Sequence, residues 1–212
     1  MFVSPQDWTA PVPVGNPVRV YAFLSGASIA EAFVNGVSLG LRNVSQFGYA
    51  DWGSVPFQSG NLTAVSYTDA GAVAATSTVL TVGPPVALRL SLINSSAVPR
   101  PYIADGMDVA LIQCSVVDAS GSVVPFSSHL VTFSVNGPGD IYGLANGDPA
   151  DHTPDKVGRT DLPYGGIWFK QVFHGLALAI VQTRAGNPGS ILVSASSPGV
   201  EGGNVTFFAA GT

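Results

Sequence analysis

Apolar and polar side chains alternate along most of the chain, and the clearest example lies at residues 130–136. This segment reads LVTFSVN, with apolar side chains on one face and hydroxyl-bearing side chains on the other, which is the pattern of a half-buried β-strand. A Gly/Pro-rich break, a short apolar run at 141–145 and a polar loop at 146–155 follow it. This succession of strands, corners and loops predicts a β-sandwich.

The same patterning predicts strands throughout the sequence, and no window shows the 3.6-residue period of an amphipathic helix. An Asn35-Gly36 pair between two apolar runs predicts a hairpin with a type I′ turn. The segment 107–118 is apolar on both faces and should therefore be a central strand. The other predicted strands are 18–24, 29–34, 37–41, 51–57, 62–67, 72–82, 88–92, 172–183, 190–196 and 204–209.

Gly83-Pro84-Pro85 is the predicted boundary between two domains, because paired prolines cannot continue a strand and form a short, stiff linker. We expect an all-β chain with two tandem immunoglobulin-like β-sandwich domains at residues 1–83 and 84–212. Trp8 and Trp52 are expected to fill their interior or the space between them. Within the predicted strand at 172–183, Leu176, Leu178 and Ile180 share one side.

Charge and composition exclude several classes of protein. Only 10% of the residues are charged and the net charge is −5, which argues against nucleic-acid binding. No apolar run is long enough to insert into a membrane. The single Cys114 lies in an apolar run and is expected to be an inert core thiol. The sequence does not determine the compartment and only slightly favours a secreted or cell-surface location; if the parent protein is exported, its signal lies outside this sequence.

The densest group of polar side chains lies in the loop at 146–155, where Asn146, Asp148, Asp151, His152 and Asp155 occur together. Asx side chains accept hydrogen bonds from backbone N–H groups in turns, so Asn146, Asp148 and His152 are interpreted first as parts of a structured loop. The alternative is a calcium ion near Asp148 and Asp151, because Ca²⁺ prefers carboxylate and carbonyl oxygens. No other cofactor is expected.

Aromatic side chains at Tyr164, Trp168 and Phe169 form a second candidate site. Exposed rings can pack on the C–H face of a sugar or anchor a protein interface. The alternative is that the rings cover one end of the sandwich.

Longer motifs add a family resemblance. Residues 33–40 read FVNGVSLG and residues 52–67 read WGSVPFQSGNLTAVSY. These segments resemble the FLNGKSLG hairpin and the W-x-V-x-Y-x-P-G-x-L-x-A-V-x-Y segment of the C-terminal β-sandwich domains of β-galactosidase-like family 2 glycoside hydrolases.

The second half continues the resemblance in the same order. The segments VVDASGSVVP, VTFSVNGPG, NGDPADH and GLALAIVQ begin at residues 116, 131, 146 and 175. They are similar to the family's V-V-D-A-x-G-x-x-V-P, V-T-F-x-V-x-G-P-G, N-G-D-P-x-x-H and G-L-x-L-V-I-V-Q.

The resemblance implies a hydrolase parent in carbohydrate metabolism, but not catalysis by this chain. A (β/α)₈ barrel needs roughly 200–250 residues with helices between its strands, and this sequence, which divides into two predicted β-sandwiches, predicts no such helices. The two glutamates, Glu31 and Glu201, are not expected to form the acid pair of a glycosidase. The expected role is accessory, with a catalytic barrel as partner in cis or as a separate chain, and glycans as a further candidate ligand. The alternatives are a carbohydrate-binding module and an adhesion or spacer tandem.

Overall fold

The chain is described from a computed structural model that covers residues 1–4, 8–9, 13–45, 48–93, 101–155 and 168–211. None of these residues lies in a helix, so this part of the chain has no helix that could cross a membrane. The residues form two compact units, Met1–Val82 and Gly83–Thr212. Strands and turns build both units, and the predicted all-β sandwich fold is confirmed.

The first unit packs two antiparallel sheets around one core. A three-stranded sheet has the order β1-β2-β5 and a four-stranded sheet the order β4-β3-β6-β7. Its strands are β1 (Phe2–Ser4), β2 (Pro17–Phe23), β3 (Ile29–Val34), β4 (Val37–Asn43), β5 (Tyr49–Pro56), β6 (Asn61–Tyr67) and β7 (Val73–Leu80). Alternate residues of β2, β3, β5 and β6 are buried, as expected for strands with one face on the core.

Two features of this unit follow directly from the sequence. Asn35 and Gly36 both have positive φ angles, at 50° and 81°, so the hairpin predicted between β3 and β4 is confirmed. Trp8 and Trp52 are buried in the core, and their indole N–H groups donate to the carbonyl oxygens of Gln58 and Gly40, each at 2.7 Å.

The strands of the second unit are connected by hydrogen bonding into one path with β12 and β13 at its two ends. The described strands follow the order β12-β14-β10-β8-β16-β15-β11-β13, and β9 pairs with β16. They are β8 (Ala87–Leu92), β9 (Tyr102–Ile103), β10 (Val109–Val117), β11 (Leu130–Asn136), β12 (Gly139–Ala145), β13 (Trp168–Gln171), β14 (Leu176–Thr183), β15 (Gly189–Ser197) and β16 (Val200–Ala210). The β8–β16 bridge joins two layers, whose inner side chains share one core.

Strand β10 lies between β14 and β8, which confirms its predicted central position. Cys114 on β10 is fully buried, and burial raises the pKa of its thiol to about 12. At neutral pH this thiol is therefore protonated and packs as a small apolar side chain. On β11, Val131 and Phe133 face the core while Thr132 and Ser134 are exposed.

The single strand predicted at 172–183 is wrong at its beginning. A turn separates β13 from β14, with His174 and Gly175 in the left-handed region at φ 49° and 75°. The side of β14 that faces the core carries Ala177, Ala179 and Val181. The larger aliphatic side chains Leu176, Leu178 and Ile180 lie together on the outer face, as the alternation of a strand requires.

Candidate functional site

The most elaborate polar arrangement in the second unit joins residues 146–155, which follow β12, to Lys170 on β13. We call this segment with its lysine the lysine-anchored loop. Lys170 pairs with Val131 across the β11–β13 ladder, on the core-facing side. Its side chain is only 1% exposed, so the ammonium group must find its partners inside the protein.

Those partners are oxygen atoms of the loop. The Nζ atom of Lys170 donates to the carbonyl oxygen of Thr153 at 3.1 Å and to its hydroxyl at 2.9 Å. It also contacts Asp155 Oδ1 at 2.6 Å and Asp151 Oδ2 at 3.0 Å. Burial alone lowers the pKa of Lys170, but the bonds and charges of Asp155 and Asp151 outweigh it, and the pKa is raised. The lysine is therefore a permanent cation at neutral pH.

Asp151 is the main anionic partner inside the loop. Its Oδ1 atom accepts from the hydroxyl and the backbone N–H of Thr153, at 2.6 and 2.8 Å. Its Oδ2 atom accepts from Asn146 at 2.8 Å and faces Lys170. The bonds from Thr153, followed by those from Lys170 and Asn146, hold the pKa of Asp151 well below its usual value. Because a general acid must hold a proton near neutral pH, Asp151 is suited to anchoring the loop and not to donating a proton.

Short-range turns complete the loop. Asp148 accepts from the backbone N–H of Ala150 at 2.9 Å, and Asn146 accepts from that of Asp148 at 3.1 Å. Both are Asx turns of the kind that these residue types favour. The Leu144 N–H donates to the carbonyl oxygen of Asp155 at 2.7 Å, which ties the end of the loop back to β12. His152 is exposed on the loop.

The cation that faces Asp151 is thus supplied by the chain. A calcium ion near Asp148 and Asp151 would have to share Asp151 with Lys170. Within the described ranges, no group of three or more His, Cys, Asp or Glu side chains gathers as metal ligands. The geometry suits mechanical stabilisation of the loop, because one buried charge holds three of its residues.

The sequence pattern groups Asn146, Asp148, Asp151, His152 and Asp155 but does not include Lys170. The structure brings Asn146, Asp151 and Asp155 into one network around that lysine. The position of a lysine in the strand that follows an acidic loop could have indicated this network. The direction of the lysine side chain towards the core, however, depends on the pairing of β13 with β11.

The residues of the predicted aromatic site do not share one surface. Trp168 packs against the core of the second unit, whereas Phe169, the next residue on β13, points to the other face of the strand because successive side chains alternate. Both rings are half-buried. Tyr164 lies outside the described residues. A role for these three residues in carbohydrate or interface contacts stays a prediction.

The two glutamates lie on different units. Glu31 on β3 accepts hydrogen bonds from the hydroxyls of Ser38 and Tyr67, the second at 3.2 Å. Glu201 is exposed on β16, where its N–H donates to the carbonyl oxygen of Val86.

A shallow cavity of about 300 Å³ borders the lysine-anchored loop on the outer face of the second unit. Its walls include Leu176 and Leu178 from β14 and Gln113 from β10. Ile93, directly after β8, and Asn146 of the loop complete them. The cavity is mainly apolar. Its described lining contains no pair of carboxylates, and two acids facing one bond are what glycoside hydrolysis requires.

Two family models match the chain. Residues 96–206 match the glycoside hydrolase family 2 C-terminal domain 5. Residues 15–75 match a domain of unknown function (DUF4982).

Individual relatives agree with the first match. The chain is 27% identical over 194 residues to the β-galactosidase BoGH2A of Bacteroides ovatus, covering 92% of this chain and 20% of that protein. It is 35% identical over 126 residues to a β-glucuronidase of Formosa agariphila, covering 59% and 12%. The chain therefore spans a fifth or less of these curated relatives.

Among solved structures, a glycosyl hydrolase family 2 member from Bacteroides cellulosilyticus superposes with a TM-score of 0.81 at 26% identity. The match covers 96% of this chain and 24% of that one. With the family model spanning residues 96–206 and this agreement along both units, the chain belongs to glycoside hydrolase family 2, whose C-terminal domain 5 it contains.

Proposed function

We propose that this chain is the non-catalytic, accessory C-terminal region of a β-galactosidase-like family 2 glycoside hydrolase. The observation that carries the proposal is its correspondence to a C-terminal domain of that family, over only 20% of the β-galactosidase relative. In this proposal the units Met1–Val82 and Gly83–Thr212 are two immunoglobulin-like domains, and their partner is a catalytic barrel in the same polypeptide or a separate chain.

The chemistry of the site supports an accessory role. The buried Lys170 neutralises Asp151 and Asp155 and ties the loop to β13. Such a network stabilises one loop conformation, because breaking it would leave a buried charge without partners. A loop fixed in this way can present a constant surface to a neighbouring domain.

The proposal is tested in the full-length hydrolase encoded by the same reading frame, compared with a version that lacks residues 1–212. We expect the truncated enzyme to keep its kcat on a chromogenic β-galactoside and to lose activity at a lower temperature. The deletion would remove stabilising contacts and no reacting group. A truncated enzyme that is folded by circular dichroism but has lost its kcat would contradict the proposal.

A further inference from the structure

Three aromatic rings form an exposed cluster on the outer face of the three-stranded sheet in the first unit. Tyr21 and Phe23 come from β2 and Tyr49 from β5, and their ring centroids lie 5.4 to 5.8 Å apart. Phe23 is 39% exposed and Tyr49 is 48% exposed. The neighbouring inward positions Val20 and Ala22 are fully buried, so strand alternation fixes the rings on the solvent side.

Charged groups border the rings on one side. Arg19 donates to Asp51 Oδ2 at 2.6 Å, and its side chain is still 64% exposed. Arg42 donates to the backbone carbonyl of Asp51 at 3.0 Å. Of these three described charged groups, two are positive and one is negative. We call Arg19, Tyr21, Phe23, Tyr49 and Asp51 the ring patch.

The ring patch retains unused hydrogen-bonding capacity. No described residue bonds to the hydroxyl of Tyr21 or Tyr49. A guanidinium has five N–H donors, and the described side-chain bond of Arg19 uses one. As far as the described residues go, the polar tips of two rings and most of one guanidinium are therefore open to a ligand.

We propose that the ring patch binds pyranose glycans, and that those carrying a carboxylate bind more tightly. The C–H face of a pyranose is apolar and would pack on the rings, while its hydroxyls at the rim would bond to the phenols and the guanidinium. A carboxylate adds attraction to the excess positive charge of Arg19 and Arg42.

A protein partner fits the patch less well. An apolar protein side chain seated on the rings would cover the two phenols and the guanidinium without satisfying them, which costs free energy. A sugar presents an apolar face and hydroxyls together and satisfies both. This inference goes beyond the accessory role proposed above, which would stand even if the patch bound no glycan.

The test uses the isotopically labelled 212-residue chain and two matched probes, the β-1,4-linked tetramers of glucose and of glucuronic acid. Titrations followed by NMR should show both tetramers binding at the ring patch. We expect the glucuronic acid tetramer to bind at least about threefold more tightly in low salt, with the difference shrinking as salt screens the charge.

Substitutions then assign the binding to the patch. Tyr49→Ala should weaken the affinity for both tetramers at least about tenfold. Arg19→Met should remove the preference for the acidic tetramer and leave neutral binding largely intact. Phe126→Ala is the control, because Phe126 is 51% exposed but lies in the second unit. Circular dichroism verifies that each variant is folded.

Binding of neither tetramer, or binding that Tyr49→Ala leaves unchanged, would overturn the proposal. Equal affinity for the two tetramers would overturn the part that assigns the carboxylate to the arginines. Self-association that depends on Tyr49, observed by sedimentation velocity without glycan binding, would identify the patch as a protein interface instead.

Discussion

At the scale of single residues, Lys170 is the clearest case of a charge held inside the protein by designated partners. Its ammonium contacts Thr153, Asp151 and Asp155 while its side chain is 1% exposed. Asp151 is itself only 12% exposed, whereas Asp155 is 71% exposed. The pair with Asp151 is therefore the one that water can least replace.

Replacing Lys170 by methionine tests how much this anchor contributes. We expect Lys170→Met to lower the free energy of unfolding of the second unit by roughly 1–3 kcal/mol, because Asp151 loses its cation. Urea denaturation of the two proteins measures the difference. The matched control is Arg184→Met, which breaks a pair with Asp140 whose side chains are 52% and 63% exposed and should cost under about 1 kcal/mol. Equal losses in the two variants would contradict the anchoring role.

A second residue-scale prediction concerns pH. The Gly83 N–H, the Ser120 hydroxyl and the Ser122 N–H bond to Asp118 and lower the pKa of its carboxyl from 3.8 to about 2. Since the folded-state pKa is below the unfolded value, the stabilisation is complete above about pH 4 and is lost as the pH falls towards 2. We expect the urea midpoint of the second unit to decrease across this window.

Asp118→Asn removes the titrating group and should flatten that decrease. The variant should still show part of the acid dependence, because the pKa of Asp151 is also lowered. Urea midpoints at pH 5, 4, 3 and 2.5 compare the two proteins. Parallel profiles for wild type and variant would show that Asp118 does not carry the effect.

At the scale of elements, the turn between β13 and β14 depends on a backbone that only glycine adopts cheaply. Gly175 has φ 75°, and a Cβ atom there would lie 2.4 Å from the carbonyl oxygen of Val124. Gly186 has a similar φ of 69°, but a Cβ atom would meet nothing within 4 Å. Comparing alanine substitutions at these two glycines therefore separates the free-energy cost of backbone strain from the cost of a steric clash with Val124.

We therefore expect Gly175→Ala to destabilise the second unit more than Gly186→Ala does. The Gly186 variant should cost about 1–2 kcal/mol for the left-handed backbone, and the Gly175 variant at least about 1 kcal/mol more for the displaced carbonyl. Thermal and urea unfolding of both variants measures the difference. If the two substitutions cost the same, the close approach to Val124 is not a constraint.

Turns and strands that depend on a short stretch of sequence were predictable. The Asn35-Gly36 turn, the alternation of β11 and the central position of β10 each depend on a few neighbouring residues. The β13–β14 turn was not predicted, because Val172–Thr183 reads as one apolar run. The buried face of β14 was also not evident, because it carries small side chains such as Ala177.

The candidate sites were harder to predict for the same reason. The polar loop was recognisable from its Asx residues, but Lys170 joins it only through the pairing of β13 with β11. The ring patch combines side chains of β2 and β5, and Phe23 meets Tyr49 through the register of those strands. Contacts set by strand pairing are not visible in the spacing of residues along one strand.

At the scale of the whole molecule, each unit has a hydrophobic core of its own. The first core includes Trp8, Val20 and Leu62, and the second includes Ile112, Val131 and Val193. A domain with its own core can fold alone. We expect residues 1–82 and 83–212, expressed separately, each to show a strand-rich circular dichroism spectrum and one cooperative unfolding transition. A unit that stays unfolded alone would contradict the assignment of two domains.

The proposed accessory role requires that this chain carry no hydrolytic chemistry of its own. The most direct measurement is turnover of chromogenic β-galactoside and β-glucuronide substrates by the purified 212-residue chain, with Glu31→Gln and Glu201→Gln variants assayed beside it. We expect rates equal to the buffer background for all three proteins. If the wild-type chain turned over either substrate, and one of the glutamine substitutions abolished that turnover, the proposed non-catalytic role would be contradicted.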